Sequence, residues 1–182
     1  MRTNNGNNYL DSALDRQLIK RGINEGTFLS IGIEASINNA IQLAKRGFRV
    51  TASDISEDGI TKAKKNLAIE KNFTITVDDM LNSKFDNNSF DYVFDGSYFC
   101  ELKPRQKRRY LAEIHRILKY GGLLLLKCYV RQRDKAAFRQ YEMMIDAFTQ
   151  ESFQVQDADE VFYQDNSVKL SSKALFFVLR KT

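Results

Sequence analysis

Thr27-Phe28-Leu29-Ser30-Ile31-Gly32-Ile33-Glu34-Ala35-Ser36 opens the stretch that decides the fold, and Gly47-Phe48-Arg49-Val50-Thr51-Ala52-Ser53-Asp54 closes it. An apolar run ends at Gly32. Ile37, Ala40, Ile41 and Ala44 then recur on one helical face up to Arg46. A second apolar run follows Gly47 and stops at Asp54, 22 residues beyond Gly32. Strand, glycine turn, helix, strand and acid in that order form the first βαβ unit of a nucleotide-binding α/β sheet. The carboxylate stands close to the ~20-residue spacing of a group that reaches ribose hydroxyls. The dinucleotide fingerprint also needs glycines two and five residues after the first. Glu34 and Ile37 occupy those positions. The stretch therefore points to a ligand with an adenosine but no pyrophosphate, rather than NAD.

Outward from this unit the pattern keeps alternating. Before it, Leu10, Leu14 and Leu18 share a face of a helix expected over residues 9–21, ended by Arg21-Gly22. Strand one covers 27–31. Ser36 is the expected cap of the following helix, and strand two covers 48–53. Ser56 caps the next helix, with Glu57 and Asp58 in its first turn where the helix dipole favours acids. Strand three spans Phe73 to Val77 and is followed by Asp78-Asp79-Met80. Strand four spans Phe90 to Phe94 and ends at Asp95. After a loop over 96–103, Pro104 starts a helix whose apolar face is Tyr110, Leu111, Ile114, Ile117 and Leu118. Gly121-Gly122 ends it and opens strand five, Leu123 to Tyr129. A helix over about 135–150, with Phe138, Tyr141, Ile145 and Phe148 inward, leads to strands Phe153 to Tyr163 and Lys173 to Arg180. The link Gln164 to Leu170 is short enough for an antiparallel hairpin. The expected fold is α/β: a Rossmann-like, seven-stranded, mostly parallel sheet, helices on both faces, and a C-terminal antiparallel hairpin. Ligands of such sheets bind beyond the carboxyl ends of the strands, here Gly32 to Glu34, Asp54, Asp79, and Asp95 onward.

The whole chain agrees with one domain. Its 182 residues suffice for a single core and not for two ordinary ones. Residues 1–8, polar and Asn-rich, read as a flexible N-terminal segment and not a signal peptide. No apolar run approaches the ~20 residues of a membrane helix, so no membrane partner is expected. Cys100 and Cys128 do not make a disulfide framework, and a reduced, cytoplasmic protein is the expectation. A net charge of +5 modestly favours anionic partners, with a solvated Lys-rich surface as the plainer explanation.

Several stretches resemble the class I S-adenosylmethionine-dependent methyltransferases across nearly all of the chain: Ala44-Lys45-Arg46-Gly47-Phe48-Arg49-Val50, Ser53-Asp54-Ile55-Ser56, Asp79-Met80, Asn88-Ser89-Phe90-Asp91-Tyr92-Val93-Phe94-Asp95 and Ile117-Leu118-Lys119-Tyr120-Gly121-Gly122 through Cys128. The resemblance is nearest to the small-molecule branch that includes thiopurine-type and tellurite-resistance methyltransferases. It implies S-adenosylmethionine as cofactor and a seventh strand lying antiparallel between the fifth and sixth. Cofactor contacts are implied at Gly32, Ile33, Glu34, Asp54, Ile55, Asp79, Met80 and Asp95. Asp54 would take both ribose hydroxyls and Ile55 would pack on adenine. Asp79 would accept from the adenine amino group, with Met80 beside the ring. Asp95 would lie at the reacting centre as the catalytic candidate. Ionised carboxylates are acceptors only, which suits hydroxyl and amino donors. The family's first motif runs acid-x-Gly-x-Gly-x-Gly. This chain has Ser30 for the acid, Glu34 and Ser36 for two of the glycines, and Tyr120 for the usual proline before Gly121.

Two functions follow from the resemblance. The first is methyl transfer to a small-molecule acceptor, with nucleic acid not favoured and a homo-oligomer or a partner protein left open. The second is a methyltransferase-fold protein that has lost catalysis and serves as a binding or partner subunit. Tyr98 and Glu101 are further candidates near the reacting centre. Asp95-Gly96-Ser97-Tyr98 faintly matches the Asp-Pro-Pro-Tyr signature of amine methyltransferases, without its prolines. His115, the single histidine, supports neither a catalytic triad nor a metal site. No metal is expected. The basic run Lys103, Arg105, Lys107, Arg108, Arg109 lacks interleaved aromatics and reads as a solvated helix end.

Overall fold

A computed structural model describes residues 10–66, 71–129, 144–164 and 171–182; the Glu34 side chain, and the sequence expectations for Phe138, Tyr141 and the link at 165–170, lie outside the described residues. The described elements run α1 (Ser12–Lys20), β1 (Thr27–Ile31), α2 (Ile33–Lys45), β2 (Arg49–Asp54), α3 (Glu57–Asn66), β3 (Phe73–Val77), β4 (Phe90–Asp95), α4 (Tyr98–Glu101), α5 (Pro104–Ile117), β5 (Leu118–Tyr129), β6 (Phe153–Gln164) and β7 (Ser171–Lys181). Residues 144–150 are helical as well.

The seven strands form one sheet in the order β3-β2-β1-β4-β5-β7-β6. β1 pairs in parallel with β2 on one side and β4 on the other, so Ile31 stands between Ser53 and Asp95 in register. β7 is antiparallel to both β5 and β6. The chain runs outward through β2 and β3, then returns to β4 on the other side of β1. Strand order therefore reverses at β1, and a crevice opens there beyond the carboxyl ends.

Alternation along β1 sends Phe28 to one face and Leu29 and Ile31 to the other, and both faces are covered. On the first face Phe28, Val50, Ala52 and Phe94 pack against Leu14 and Leu18 of α1 and Ala40 and Leu43 of α2. On the second, Leu29, Val93, Leu124 and Leu126 meet Tyr110, Leu111 and Ile114 of α5, with Phe148. Asp11 caps α1 by accepting from Ala13 N and Leu14 N. Its other oxygen takes Lys127 Nζ of β5 at 2.6 Å, an ion pair with both side chains largely buried.

Three boundaries differ from the sequence expectation. α2 starts at Ile33, not after Ser36, because Gly32 adopts φ +78° and serves as N-cap; Ser36 lies in the first turn instead. The 96–103 loop contains the short helix α4. β5 starts at Leu118, five residues early, because residues 119–122 bulge out between the Phe90–Leu118 and Tyr92–Leu123 pairs. The glycine pair is required there. Gly121 has φ +74°, and a Cβ on Gly122 would lie 2.8 Å from Lys119 O and 2.9 Å from Asp91 O. Tyr120 sits on this bulge, 81% exposed, where a proline is not needed for packing.

Candidate functional site

The glycine turn after β1 and the turn after β2 are pinned together by one side chain. Asp54 Oδ2 accepts from Ile33 N at 2.8 Å, and its Oδ1 accepts from Ser56 N at 2.9 Å. Each oxygen keeps a second lone-pair direction for a ligand donor. Ser56 in turn caps α3 by accepting from Gly59 N at 3.1 Å.

A cavity of about 390 Å³ lies at this point, lined by Ile31, Gly32, Ser53, Asp54, Ile55, Ser56, Gly59, Asp78, Met80, Ser97, Tyr98 and Glu101. It stretches from the carboxyl ends of β1 and β2 to the start of α4, which is the crevice the strand order predicts. Ile55 is 61% exposed, an apolar side chain held at the mouth, while Met80 is buried. The charged residues of the lining are Asp54, Asp78 and Glu101, all acids, in a chain whose net charge is +5. Such a lining attracts cations and repels phosphate groups. Ser53 Oγ, wholly buried in this wall, has no hydrogen-bond partner. Nearly all buried hydroxyls find one.

Of the positions named from sequence, Gly32, Asp54, Ile55 and Met80 line the cavity. Ile33 contributes its backbone N–H to Asp54, while its side chain joins the core. Asp79 is half-buried beside the cavity and accepts from Leu81 N at 2.9 Å. Its neighbour Asp78 lines the wall, but its carboxylate accepts from Ser83 Oγ at 2.8 Å and from Lys84 N. Ile31, Ser53, Gly59 and Asp78 were not singled out as site residues from sequence. Their shared signal was position, since each lies within a few residues of a strand's carboxyl end.

Asp95 lies deeper than the other named acids. It is fully buried and outside the cavity lining. Oδ1 accepts from Ser97 N at 2.9 Å and Tyr98 N at 2.7 Å; Oδ2 accepts from Phe99 N at 2.9 Å and from Tyr110 Oη at 2.7 Å. With four donors on two oxygens, this buried carboxyl ties down the start of α4. Burial raises its pKa despite the opposing hydrogen bonds from Tyr110, Phe99, Ser97 and Tyr98. The Asp-Pro-Pro-Tyr comparison fails on the same geometry. What Asp95 does is place Ser97, Tyr98 and Glu101 in the wall. The Tyr98 phenol is raised above its ordinary pKa by burial and by the charges of Asp79, Asp95 and Asp54. It therefore faces the cavity as a hydrogen-bond donor, not as a base.

The departures in the first motif are also placed. Ser30 and Ser36 are both buried, and Ser30 Oγ lies 3.0 Å from Ser36 Oγ. His115 lies elsewhere, its Nε2 3.4 Å from Thr182 O and its ring edge-on to Phe153. In the basic run, Lys107 sits over the Phe99 ring and Arg108 pairs with Glu151. Cys100 and Cys128 are joined as a disulfide, a correction to their reading as separate reduced cysteines: the end of α4 folds back on β5 and brings their Cα atoms to 5.6 Å. Among the described residues no group of three or more His, Cys, Asp or Glu could hold a metal, and no helix is long and apolar enough to cross a membrane.

Residues 36–122 match the methyltransferase-domain family. A demethylmenaquinone methyltransferase of Staphylococcus epidermidis is 36% identical over 77 residues, covering 42% of this chain and 31% of that protein. The match thus spans about a third of the relative's length. A solved S-adenosylmethionine-dependent methyltransferase of Methanosarcina mazei superposes with a TM-score of 0.78 over 94% of this chain and 98% of that one, at 15% identity. The Burkholderia thailandensis 1,6-didemethyltoxoflavin-N1-methyltransferase, solved with its acceptor and S-adenosylhomocysteine bound, superposes with a TM-score of 0.72 over 94% and 77%, at 17% identity. Just under half of the chain thus matches the methyltransferase-domain family, and nearly the whole chain shares the fold of solved S-adenosylmethionine-dependent methyltransferases.

Proposed function

We infer that this protein binds S-adenosylmethionine in the cavity between Gly32 and Tyr98 and transfers its methyl group to a small-molecule acceptor. The observation that carries this reading is the wall itself. An acceptor-only carboxylate, Asp54, stands at the end of β2 with free lone pairs, next to the apolar pair Ile55 and Met80. Every charged residue of the lining is an acid. Ribose hydroxyls, an adenine face and a sulfonium cation fit that donor set, and a pyrophosphate does not. The unpartnered Ser53 hydroxyl in the same wall fits a site that is completed by a ligand.

In this reading Asp54 holds the ribose. Ile55 and Met80 sandwich the adenine edge, and Asp79 accepts from its amino group. When bound, S-adenosylmethionine supplies an electrophilic methyl on sulfur. The chain's own contribution is to hold an acceptor in line with that methyl, so effective molarity is the main source of rate. Ser97, Tyr98 and Glu101, set in place by Asp95, form the wall nearest the acceptor. Glu101 is the exposed carboxylate there that can take a proton from an acceptor that needs to lose one. Tyr98, kept protonated, donates to the acceptor. The small-molecule assignment is supported by the modest size of the cavity and by the small molecule bound in the Burkholderia structure.

A second reading, a non-catalytic partner subunit, draws on Ser30: the residue in place of the motif's acid is turned into the core and bonded to Ser36. Incubation with methyl-labelled S-adenosylmethionine and a small-molecule extract separates the two. Label recovered in a small molecule supports the enzyme. Cofactor binding without label transfer to any small molecule, nucleic acid or protein supports the partner subunit.

A further inference from the structure

Both cysteines of the chain stand behind the Tyr98–Glu101 wall. Cys100 is the third residue of α4, next to Glu101 of the cavity lining, and Cys128 is the penultimate residue of β5. Their Cα atoms are 5.6 Å apart across a sequence separation of 28 residues. That Cα distance is in the middle of the range a disulfide spans. Access is one-sided. Cys128 is 1% exposed, while Cys100 is only half-buried, on a helix at the cavity mouth.

α4 is a single short turn of helix. It is four residues long, and at its ends Cys100 N donates to Ser97 O at 3.1 Å and Leu102 N to Phe99 O at 3.3 Å. Asp95 fastens its N-terminal side through Ser97, Tyr98 and Phe99. The sulfur bridge fastens its C-terminal side to β5. We propose that Cys100–Cys128 is a reversible thiol–disulfide site that sets the order of α4, and with it the shape of the wall carrying Tyr98 and Glu101. The ordering claim goes beyond the methyltransferase reading and does not depend on it.

The chemistry closes with a disulfide of the glutathione class as the oxidant. The accessible Cys100 thiolate attacks oxidised glutathione, forming a mixed disulfide and releasing one glutathione thiolate. The Cys128 thiolate then attacks the Cys100 sulfur and displaces the second. Two protein thiols lose two electrons and two protons, and one glutathione disulfide becomes two thiols. Excess thiol drives the same steps backwards, entering at the half-buried Cys100 sulfur.

The test uses the full chain equilibrated in glutathione buffers running from mostly oxidised to mostly reduced. Free thiols are blocked, the bridge is quantified by peptide mass mapping, and amide exchange is followed through α4. The bridge should form and open across the series. The amides of Cys100 and Leu102 should exchange at least about tenfold faster once it opens. Cys100→Ser and Cys128→Ser should each show the faster exchange in every buffer. A bridge that never forms, one that persists in every buffer, or exchange that is equal in the two states would overturn the proposal. S-adenosylmethionine is titrated on the same samples. Absence of binding in both states counts against the methyltransferase reading alone, because exchange still decides the switch.

Discussion

Ser30 Oγ donates to Ser36 Oγ at 3.0 Å, and Ser36 Oγ in turn lies 2.6 Å from Gly32 O and 2.9 Å from Ile31 O. The residues that replace the family's first acid and one of its glycines are thus each other's partners. Both are buried, so the chain of bonds is shielded from water and holds the glycine turn against the start of α2.

Ser36→Gly removes the middle of this chain. Ser30 Oγ is then left buried without its acceptor, which costs about 1–3 kcal/mol, and a glycine enters the helix. Denaturant unfolding should show that loss. Affinity for S-adenosylmethionine should change by less than about threefold, since neither hydroxyl faces the cavity. A stable variant with much altered affinity would place Ser36 in the binding surface.

Glu34 occupies the second position of α2, in the first turn, where a negative charge is favoured by the helix dipole. Glu34→Gly should therefore lower stability by about 1 kcal/mol. It also removes a negative charge from the glycine turn, where like charges at close range repel the cofactor's carboxylate. Two such charges about 4 Å apart cost roughly 4 kcal/mol at an effective dielectric of 20, an upper limit for the gain. Calorimetry should find tighter S-adenosylmethionine binding in the variant; equal affinity would mean the glutamate turns away.

Asp95 is raised by burial, and that fixes the sign of its pH dependence. The folded protein holds the Asp95 proton more firmly than the unfolded chain. The stability contributed by this group is full below the ordinary carboxylate range and is lost as pH rises through the raised native value. Urea unfolding of wild type and Asp95→Asn from about pH 4 to about pH 7 should show a downward slope in wild type that the variant lacks. Asp95→Ala orphans three backbone donors and the Tyr110 hydroxyl, and should cost about 3 kcal/mol or more. Equal slopes in wild type and the asparagine variant would remove Asp95 as a titrating group.

The fold was legible because its signals are periodic and punctuated. Gly32, Gly47 and Gly121-Gly122 mark turns, and the apolar runs between them match β1, β2 and β5 in place if not in length. Asp54 was legible because it ends a strand at a fixed distance from the glycine turn. Asp95 was not, because strand-end acids look alike in sequence: one faces a cavity, another caps the next helix, and the difference rests on Tyr110, 15 residues away. The Cys100–Cys128 pairing was hidden for a similar reason. It depends on how α4 folds back on β5, a long-range contact that leaves no local pattern.

The central claim is that Asp54 anchors S-adenosylmethionine, and titration calorimetry of wild type beside Asp54→Ala and Asp54→Asn tests it most directly. Charge-assisted hydrogen bonds are worth about 1.5–3 kcal/mol each. Asp54→Ala should thus bind at least about tenfold more weakly than wild type. Asp54→Asn, which keeps the shape of the side chain but only one acceptor oxygen for Ile33 N or Ser56 N, should stay folded by circular dichroism and also bind more weakly. Wild-type protein that binds no S-adenosylmethionine, or variants that keep its full affinity, would contradict the account.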